Sequence, residues 1–230
     1  MSIKSPDTRA HFGRKKGHKL RAARAGRFET LLPKLAIDLD RPAPETLSTL
    51  FPGAVEAVHL EIGYGGAEHL LQQARLFPKT GFIGCEAFED GVAKALAGIE
   101  SLNLDNVRLH FGDAIDLVHW LPDQSIDRVY LLYPDPWPKR RHWKRRFISR
   151  ERLEDLVRIL RPGGELRFAS DISSNITWTL AQAARNPLLQ WRGMRPSDWQ
   201  APWGEWISTR YEKKALREGR RPAYFIFERS

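Results

Sequence analysis

Short apolar runs alternate with helix-like stretches along most of this chain, and this alternation constrains the fold more than any other feature. Runs of β-type residues predict strands at 57–63, 82–87, 107–114, 127–133, 164–170 and 223–229. Helix-like stretches lie between them at 68–76, 90–100, 150–160 and 174–185. Strands and helices that alternate at this spacing predict an α/β protein with a doubly wound, mostly parallel sheet.

The positive charge of the chain is concentrated at its N terminus. The net charge is +9, and residues 1–30 hold nine Lys and Arg against two acids, whereas the remaining residues hold 28 basic and 26 acidic side chains. Because such a segment buries little apolar area, we expect residues 1–27 to form a flexible basic arm and residues 28–230 to form a single domain. The expected partner of the arm is a polyanion, foremost RNA; a transit peptide and a plain solubilising tail are the alternatives.

Several classes of protein are disfavoured by composition. The chain has neither a secretory signal nor an apolar run of about 18 residues, so we expect a cytoplasmic protein that does not span a membrane. The single cysteine, Cys85, excludes an internal disulfide and is most simply a buried core thiol. No cluster of His, Cys and Asp has metal-ligand spacing, so we predict no metal. Monomer and homodimer both stay open.

A glycine turn follows the first predicted strand. It reads Gly63-Tyr-Gly65-Gly-Ala67, and Glu61 lies two residues ahead of the first glycine. Glycines at a strand-to-helix turn let the backbone approach a ligand closely. The acid disfavours a pyrophosphate ligand and suits a ligand with a positive charge, such as the amino and sulfonium groups of S-adenosylmethionine.

The next two predicted strands also end in acids. Glu86 follows Gly65 by 21 residues, which is the usual place for an acid that bonds ribose hydroxyls. Asp113 ends the third strand, where a carboxylate can accept a hydrogen bond from an adenine amino group. Each could be an ordinary loop acid, but the three acids and the glycine turn together predict one cofactor crevice.

The stretch 133–146, which reads YPDPWPKRRHWKRR, follows the fourth predicted strand. Pro134 and Pro136 restrict the backbone around Asp135, so this carboxylate is held in a stiff, non-helical turn. Seven cations and no acid follow between residues 139 and 150. A rigid acid beside a tryptophan and a cationic run suggests chemistry on a base within a polyanion; the alternative is a proline-rich turn with a solvated charged loop.

Four tryptophans lie in the segment 191–206, which interrupts the alternation of strands and helices. Clustered tryptophans can form a stacking surface for bases. More often they pack a loop onto the body of a domain, and we favour this second interpretation.

Short motifs across residues 28–230 resemble those of the bacterial tRNA (guanine-N7)-methyltransferases. They are E-I-G-x-G at 61–65, C-E at 85–86, G-D-A at 112–114, P-D-P-W-P-K at 134–139, R-H at 141–142, K-R-R at 144–146, S-D at 170–171 and T-R-Y-E at 209–212. The resemblance implies a class I S-adenosylmethionine-dependent methyltransferase fold (Rossmann-like) with a seven-stranded sheet. It also implies methylation of N7 of a guanine in the tRNA variable loop, at position 46, with S-adenosylmethionine as cofactor.

The resemblance also implies roles for individual residues. Cofactor contacts fall on Glu61, Glu86, Asp113 and Asp135, to which the glycine turn adds Gly63 and Gly65, and Asp135 is the implied catalytic residue. Substrate contacts fall on Lys139, Asp171, Thr209, Arg210, Tyr211 and Glu212. We expect phosphate contacts from Arg140, Arg141, Lys144, Arg145 and Arg146, and from Arg14, Lys15, Lys16 and Lys19 of the arm. Ala67, Trp143 and Ser170 depart from the family pattern, but no carboxylate is lost.

Guanine N7 carries a lone pair and no proton, so attack on a methyl group needs no base to deprotonate it first. We therefore expect catalysis by positioning and electrostatics, with Asp135 accepting hydrogen bonds from the N1–H or amino edge of the guanine. Two alternatives are a methyltransferase that acts on another RNA and a non-catalytic RNA-binding protein on the same fold. Glu61 and the missing third glycine oppose a nicotinamide-dependent oxidoreductase.

Overall fold

The computed structural model describes the backbone from residue 22 to residue 230 and the side chains from residue 26 onward. The helices are α1 (Ala22–Thr30), α2 (Leu32–Leu35), α3 (Glu68–Leu76), α4 (Glu89–Leu102), α5 (Ala114–Trp120), α6 (Arg150–Ile159), α7 (Ser173–Ala183), α8 (Ser197–Gln200) and α9 (Arg210–Arg217). The strands are β1 (Ala57–Ile62), β2 (Thr80–Glu86), β3 (Val107–Phe111), β4 (Ile126–Leu132), β5 (Leu160–Ser170), β6 (Leu189–Trp191) and β7 (Ala223–Arg229). Short 3₁₀ helices span Leu47–Leu50 and Arg140–Arg145.

The seven strands form one sheet in the order β3-β2-β1-β4-β5-β7-β6. Strands β1 to β5 are parallel, whereas β7 runs antiparallel to both β5 and β6. The predicted doubly wound, mostly parallel sheet of seven strands is therefore confirmed. The strand order reverses between β1 and β4, and such a reversal opens a crevice at the carboxyl ends of the strands.

The two faces of the sheet differ in polarity. On the first face, alternate side chains of the central strands, among them Leu60, Ile83 and Val129, join a large apolar core. On the second face, the same strands present His59, Glu61 and Tyr130, all buried. Because side chains of a strand alternate between faces, one strand supplies an apolar surface and a polar one.

One strand boundary at the carboxyl edge and two elements further along the chain differ from the sequence prediction. Strand β3 ends at Phe111, and Asp113 caps α5 because its Oδ1 accepts a hydrogen bond from the Ile115 N–H at 3.0 Å. The predicted strand 107–114 was thus too long, since the capping signal of Asp113 was not recognised. Strand β6 ends at Trp191, where the tryptophan-rich segment begins, and helix α9 follows that segment; the alternation predicted neither element.

The N-terminal arm lies mostly outside the described residues. Arg14, Lys15, Lys16 and Lys19 fall in that part of the chain, so their predicted phosphate contacts stay predictions. Helix α1 begins at Ala22, six residues before the predicted start of the domain. Phe28 packs edge-on against Phe111 with ring centroids 5.9 Å apart, which fixes the end of α1 to the sheet. No helix between residues 22 and 230 is long and apolar enough to cross a bilayer.

Candidate active site

A cavity of about 470 Å³ lies at the carboxyl ends of β1, β2, β3 and β4. Its wall includes Gly63 and Gly65 after β1, Glu86 at the end of β2, Asp113 after β3 and Asp135 after β4. The alternation of strands brings these residues together from four separate parts of the sequence. The cavity therefore collects most of the predicted cofactor residues.

The glycine turn forms the floor of the cavity beside β1. Gly63 and Gly65 have φ angles of +70° and +57°, a region that residues with a Cβ rarely adopt. The Gly65 N–H donates to Glu86 Oε2 at 2.8 Å, so the turn and the second strand are joined. Glu86 Oε1 accepts from the next two backbone N–H groups at 2.9 Å. Each carboxylate oxygen has further lone pairs, so Glu86 can still accept from hydroxyl groups.

Asp113 has an unused acceptor at the cavity wall. Its Oδ1 caps α5, while Oδ2 is buried and has no hydrogen-bond partner among the described residues. A buried carboxylate oxygen without a donor is costly, and a ligand that donates an N–H would satisfy it. This arrangement fits the adenine amino group expected of the cofactor.

Asp135 lies on a backbone turn that is fixed from both sides. Tyr133 and Trp137 have φ angles of +52° and +41°, which is unusual for residues with large side chains. The Asp135 side chain lines the cavity and the residue is exposed. Asp135 makes no hydrogen bond to any described residue. Its carboxylate is thus held in place by the backbone and has free acceptor capacity.

Arg146 is a buried cation rather than a surface one, and its predicted phosphate contact stays a prediction. The residue is 3% exposed. Its Nε donates to the Pro136 carbonyl at 2.8 Å, and its Nη1 donates to the Ser174 carbonyl at 3.0 Å. The guanidinium also lies over the rings of Trp143 and Trp178. Arg146 therefore connects the backbone turn around Asp135 to α7. Its place in a run of cations did not indicate this structural role.

The other cations of this run face outward or line the cavity. Arg140, Arg141 and Lys144 are exposed on the 3₁₀ helix Arg140–Arg145. The Arg145 guanidinium lies 4.9 Å from the centroid of the Trp137 ring, and Lys144 and Arg145 both line the cavity. Cations therefore border the cavity, and their predicted phosphate contacts stay predictions.

Glu61 is not on the cavity wall. The residue is 3% exposed, and its Oε2 lies 2.7 Å from His69 Nδ1. His69 packs edge-on against Tyr130 and tilts against Trp206. The predicted contact between Glu61 and a cofactor stays a prediction, because here its carboxylate is directed to α3 on the second face of the sheet.

The T-R-Y-E motif forms the start of α9. The Glu212 N–H donates to Thr209 Oγ1 at 3.2 Å, as in a capping box. Arg210 pairs with Glu68 at 2.6 Å beside the glycine turn, and Tyr211 lines the cavity, where its ring lies 3.4 Å from the position of a Cβ on Gly65. Only Tyr211 of the four residues thus reaches the cavity.

The carboxylate of Glu212 is enclosed rather than exposed to a substrate. Trp206 Nε1 donates to its Oε2 at 2.9 Å, and the Tyr224 hydroxyl donates to its Oε1. Burial raises the pKa of the Tyr224 hydroxyl, and the nearby carboxylate raises it further. Two other predicted substrate residues also lie off the cavity wall: Asp171 pairs with Arg220, and Lys139 is exposed.

The tryptophan-rich segment packs onto the second face of the sheet. Trp203 and Trp206 are in edge-on contact with ring centroids 5.1 Å apart, and both pack against Tyr224. The interpretation of this segment as a packed loop is confirmed for these two residues. Cys85 is a buried thiol, also as predicted, and burial raises its pKa well above the usual range.

Phe88 and Arg152 are among the cavity residues that the sequence did not predict. Phe88 follows Glu86 by two positions, and an aromatic residue close to a predicted ribose acid could have been recognised as a wall for a planar ring. Arg152 reaches the cavity from the first turn of α6, and no local pattern distinguishes it from other helix cations.

A doubly wound sheet with an acid-lined cavity at its point of strand reversal defines the class of nucleotide-cofactor enzymes that includes the methyltransferases. Methyltransf_4, a family model with the description "Putative methyltransferase", matches residues 55–224. An antibiotic-related methyltransferase of known structure aligns with a TM-score of 0.53 and 14% identity over 84% of this chain and 95% of that chain. TrmN from Thermus thermophilus aligns with a TM-score of 0.54 and 16% identity over 80% of this chain and 47% of that chain. These likenesses show the fold.

Curated relatives define the family more closely. A tRNA (guanine-N(7)-)-methyltransferase of Rhodopseudomonas palustris (strain BisB5) is 52% identical over 95% of this chain and 85% of its own length. The protein of the same name from Rhizobium meliloti (strain 1021) is 51% identical over 97% of this chain and 96% of its own length. The chain belongs to the tRNA (guanine-N(7)-)-methyltransferase family, as its motifs predict.

Proposed function

We propose that this protein transfers a methyl group from S-adenosylmethionine to N7 of a guanine in the variable loop of tRNA, at position 46. The observation that carries the proposal is the cavity, where a rigid, exposed Asp135 stands beside cofactor-type acids and a cationic border. The names of the relatives support the substrate and the atom. The position in the loop rests on family resemblance. We place this activity in the cytoplasm.

The residues of the cavity fit the cofactor. Gly63 and Gly65 leave the backbone open to close approach, and Glu86 has lone pairs for ribose hydroxyls. The unpartnered Oδ2 of Asp113 suits an adenine amino group. When bound, S-adenosylmethionine supplies an electrophilic methyl group on a positively charged sulfur. Glu61, Glu86, Asp113 and Asp135 stay the proposed cofactor contacts, although Glu61 is bonded to His69 in this structure.

Asp135 is the proposed catalytic residue, and it acts by orientation. A carboxylate accepts the N–H groups at the N1 and amino edge of guanine, which fixes the base and increases electron density at N7. No deprotonation of N7 is required. The positive φ angles on either side and the Arg146 bond to Pro136 hold the carboxylate in one place before the base arrives.

The RNA is proposed to bind through cations around the cavity. Lys139, Arg140, Arg141, Lys144 and Arg145 would contact phosphates, with Arg14, Lys15, Lys16 and Lys19 of the arm. The proposed substrate contacts are Lys139, Asp171 and the T-R-Y-E motif. Tyr211, which lines the cavity, would contact the base. Asp171, Thr209 and Glu212 lie off the cavity wall, so they would act by positioning the residues at this end of the site.

Methyl transfer from labelled S-adenosylmethionine to unmodified tRNA, followed by borohydride and aniline treatment, tests the proposal. We expect incorporation of label and chain cleavage at the variable-loop guanine, because the treatment cleaves at 7-methylguanosine. A tRNA in which that guanine is replaced by adenine is the control and should take up no label. Label without cleavage would refute N7 as the acceptor, and cleavage elsewhere would refute the position.

A further inference from the structure

Nearly half of the cations of residues 31–230 lie in two short segments. Residues 139–150 and 210–221 together hold 13 of the 28 cations and two of the 26 acids in this part of the chain, so they carry a net charge of +11 and the rest carries −9. The net charge of +2 over these residues therefore conceals a strong separation of positive and negative charge along the sequence. A polyanion would be repelled by most of the domain and attracted by these two segments.

Both segments border the same cavity. Lys144 and Arg145 of the first segment line it, and Tyr211 of the second segment lines it as well. Arg210, at the start of α9, pairs with Glu68 next to the glycine turn. Helix α9 therefore begins at the cavity, and its cations continue away from it along the surface.

Five of the six cations of the second segment fall into two groups. Arg210 and Arg220 are paired with carboxylates, and these pairs attach the two ends of the segment to the body. Lys213, Lys214 and Arg217 are exposed, and no carboxylate of any described residue lies within ion-pair distance of them. Lys213 and Arg217 are four residues apart on one helix, where like charges repel and destabilise the helix. This arrangement favours a ligand that brings negative charge.

We infer that Lys213, Lys214 and Arg217, the α9 cationic face, are a second phosphate-binding surface for the RNA. The inference rests on the proposed function and adds to the cations of residues 139–145. A guanine that enters the cavity has RNA backbone on both sides of it, so phosphates approach both cationic segments. Phosphate contacts fix the register of the RNA and release counterions, which makes binding depend on salt.

The test measures binding of an unmodified tRNA transcript at a series of KCl concentrations. The variant carries Lys213→Gln, Lys214→Gln and Arg217→Gln, since glutamine has a helix propensity close to that of the cations it replaces. The control carries Arg75→Gln, Lys79→Gln and Arg185→Gln, three exposed cations at the opposite edge of the sheet. Both triple variants lose the same formal charge.

We expect the slope of log Kd against log[KCl] to fall by about 2 to 3 for the α9 variant and to stay near the wild-type value for the control. Equal slopes for the wild type and the α9 variant would overturn the inference. An equal decrease in slope for both triple variants would also overturn it, because the decrease would then depend only on net charge. N7 methylation by the wild type is assayed in parallel. A reduced slope for the α9 variant together with no methylation by the wild type would support the phosphate-binding surface and refute the proposed function. Methylation by the wild type together with an unchanged slope would support the proposed function and refute the surface.

Discussion

Two regions of the molecule, the cavity and a cluster of side chains on the second face of the sheet, contain buried or rigid acids. The hydrogen bonding of these acids differs between the two regions. The second-face cluster consists of His59, Glu61, His69, Tyr130, Trp206 and Glu212. Its carboxylates are enclosed by donors within the domain: Glu61 meets His69, and Glu212 accepts from Trp206 and Tyr224. In the cavity, Asp135 makes no hydrogen bond to a described residue, and Asp113 has a buried oxygen without one.

This difference separates the acids that build the domain from Asp113 and Asp135, two of the acids proposed to meet a ligand. A satisfied carboxylate contributes to stability, since removing it leaves donors unpaired in the interior. A buried carboxylate oxygen without a donor costs stability and is retained where a ligand supplies the missing donor. Residue type does not distinguish the two, and neither does position at a strand end, because Glu61 and Asp113 both lie close to one.

The largest expected effect comes from the cavity. Asp135→Asn removes the charge but keeps the shape, so the base loses an ionised acceptor that holds its N–H edge. We expect kcat at saturating cofactor to fall by about 100-fold or more, with an unchanged melting temperature. Steady-state methyl transfer and thermal unfolding measure the two quantities. Turnover close to that of the wild type would show that Asp135 has no catalytic role.

A matched change in the second-face cluster should affect stability instead. Glu212→Gln is also isosteric, but it deprives the Trp206 N–H and the Tyr224 hydroxyl of an ionised acceptor in the interior. We expect a loss of about 2 to 3 kcal/mol in the free energy of unfolding, measured by urea denaturation. If Glu212→Gln were as stable as the wild type, the division into structural and ligand-binding acids would fail.

The smallest effect is a pH dependence that arises within the same cluster. Burial, followed by the nearby Arg128 and Arg167, lowers the pKa of His59 from 6.5 to about 3. The folded protein therefore keeps His59 neutral, while the unfolded chain takes up a proton as the pH falls below 6.5. Stability contributed by this residue is present above pH 6.5 and is lost at about 1.4 kcal/mol per pH unit as the pH falls towards 3.

His59→Leu removes the titrating imidazole and fills a similar volume. We expect the stability of the wild type relative to this variant to fall by about 2 kcal/mol between pH 7 and pH 5. Urea denaturation of both proteins at a series of pH values measures the difference. Parallel stability curves over this range would show that His59 does not titrate differently in the folded and unfolded states.

Much of the fold could be predicted because its signals are local. Strand β1 and helix α3 begin at the predicted residues, Ala57 and Glu68, and β7 coincides with the closing run. Hydrophobic periodicity and the glycine and proline residues between elements specify these boundaries within short windows. Helix α9 lies outside these predictions, although the T-x-x-E pattern at 209–212 is also a local signal for a helix start.

The sequence by itself determined the class of sheet and the set of motifs around the cavity, since strand ends and glycine turns are specified within a few residues. Only the tertiary structure decided which charged groups remain available to a ligand. Arg146 is buried because Ser174, 28 residues away, and the Trp143 and Trp178 rings surround it. The Glu61 carboxylate is hydrogen-bonded to His69 on the next helix, whereas Asp135 makes no hydrogen bond to a described residue. Availability depends on donors, acceptors and rings that only folding brings together, so identical residue types in similar motifs have different roles.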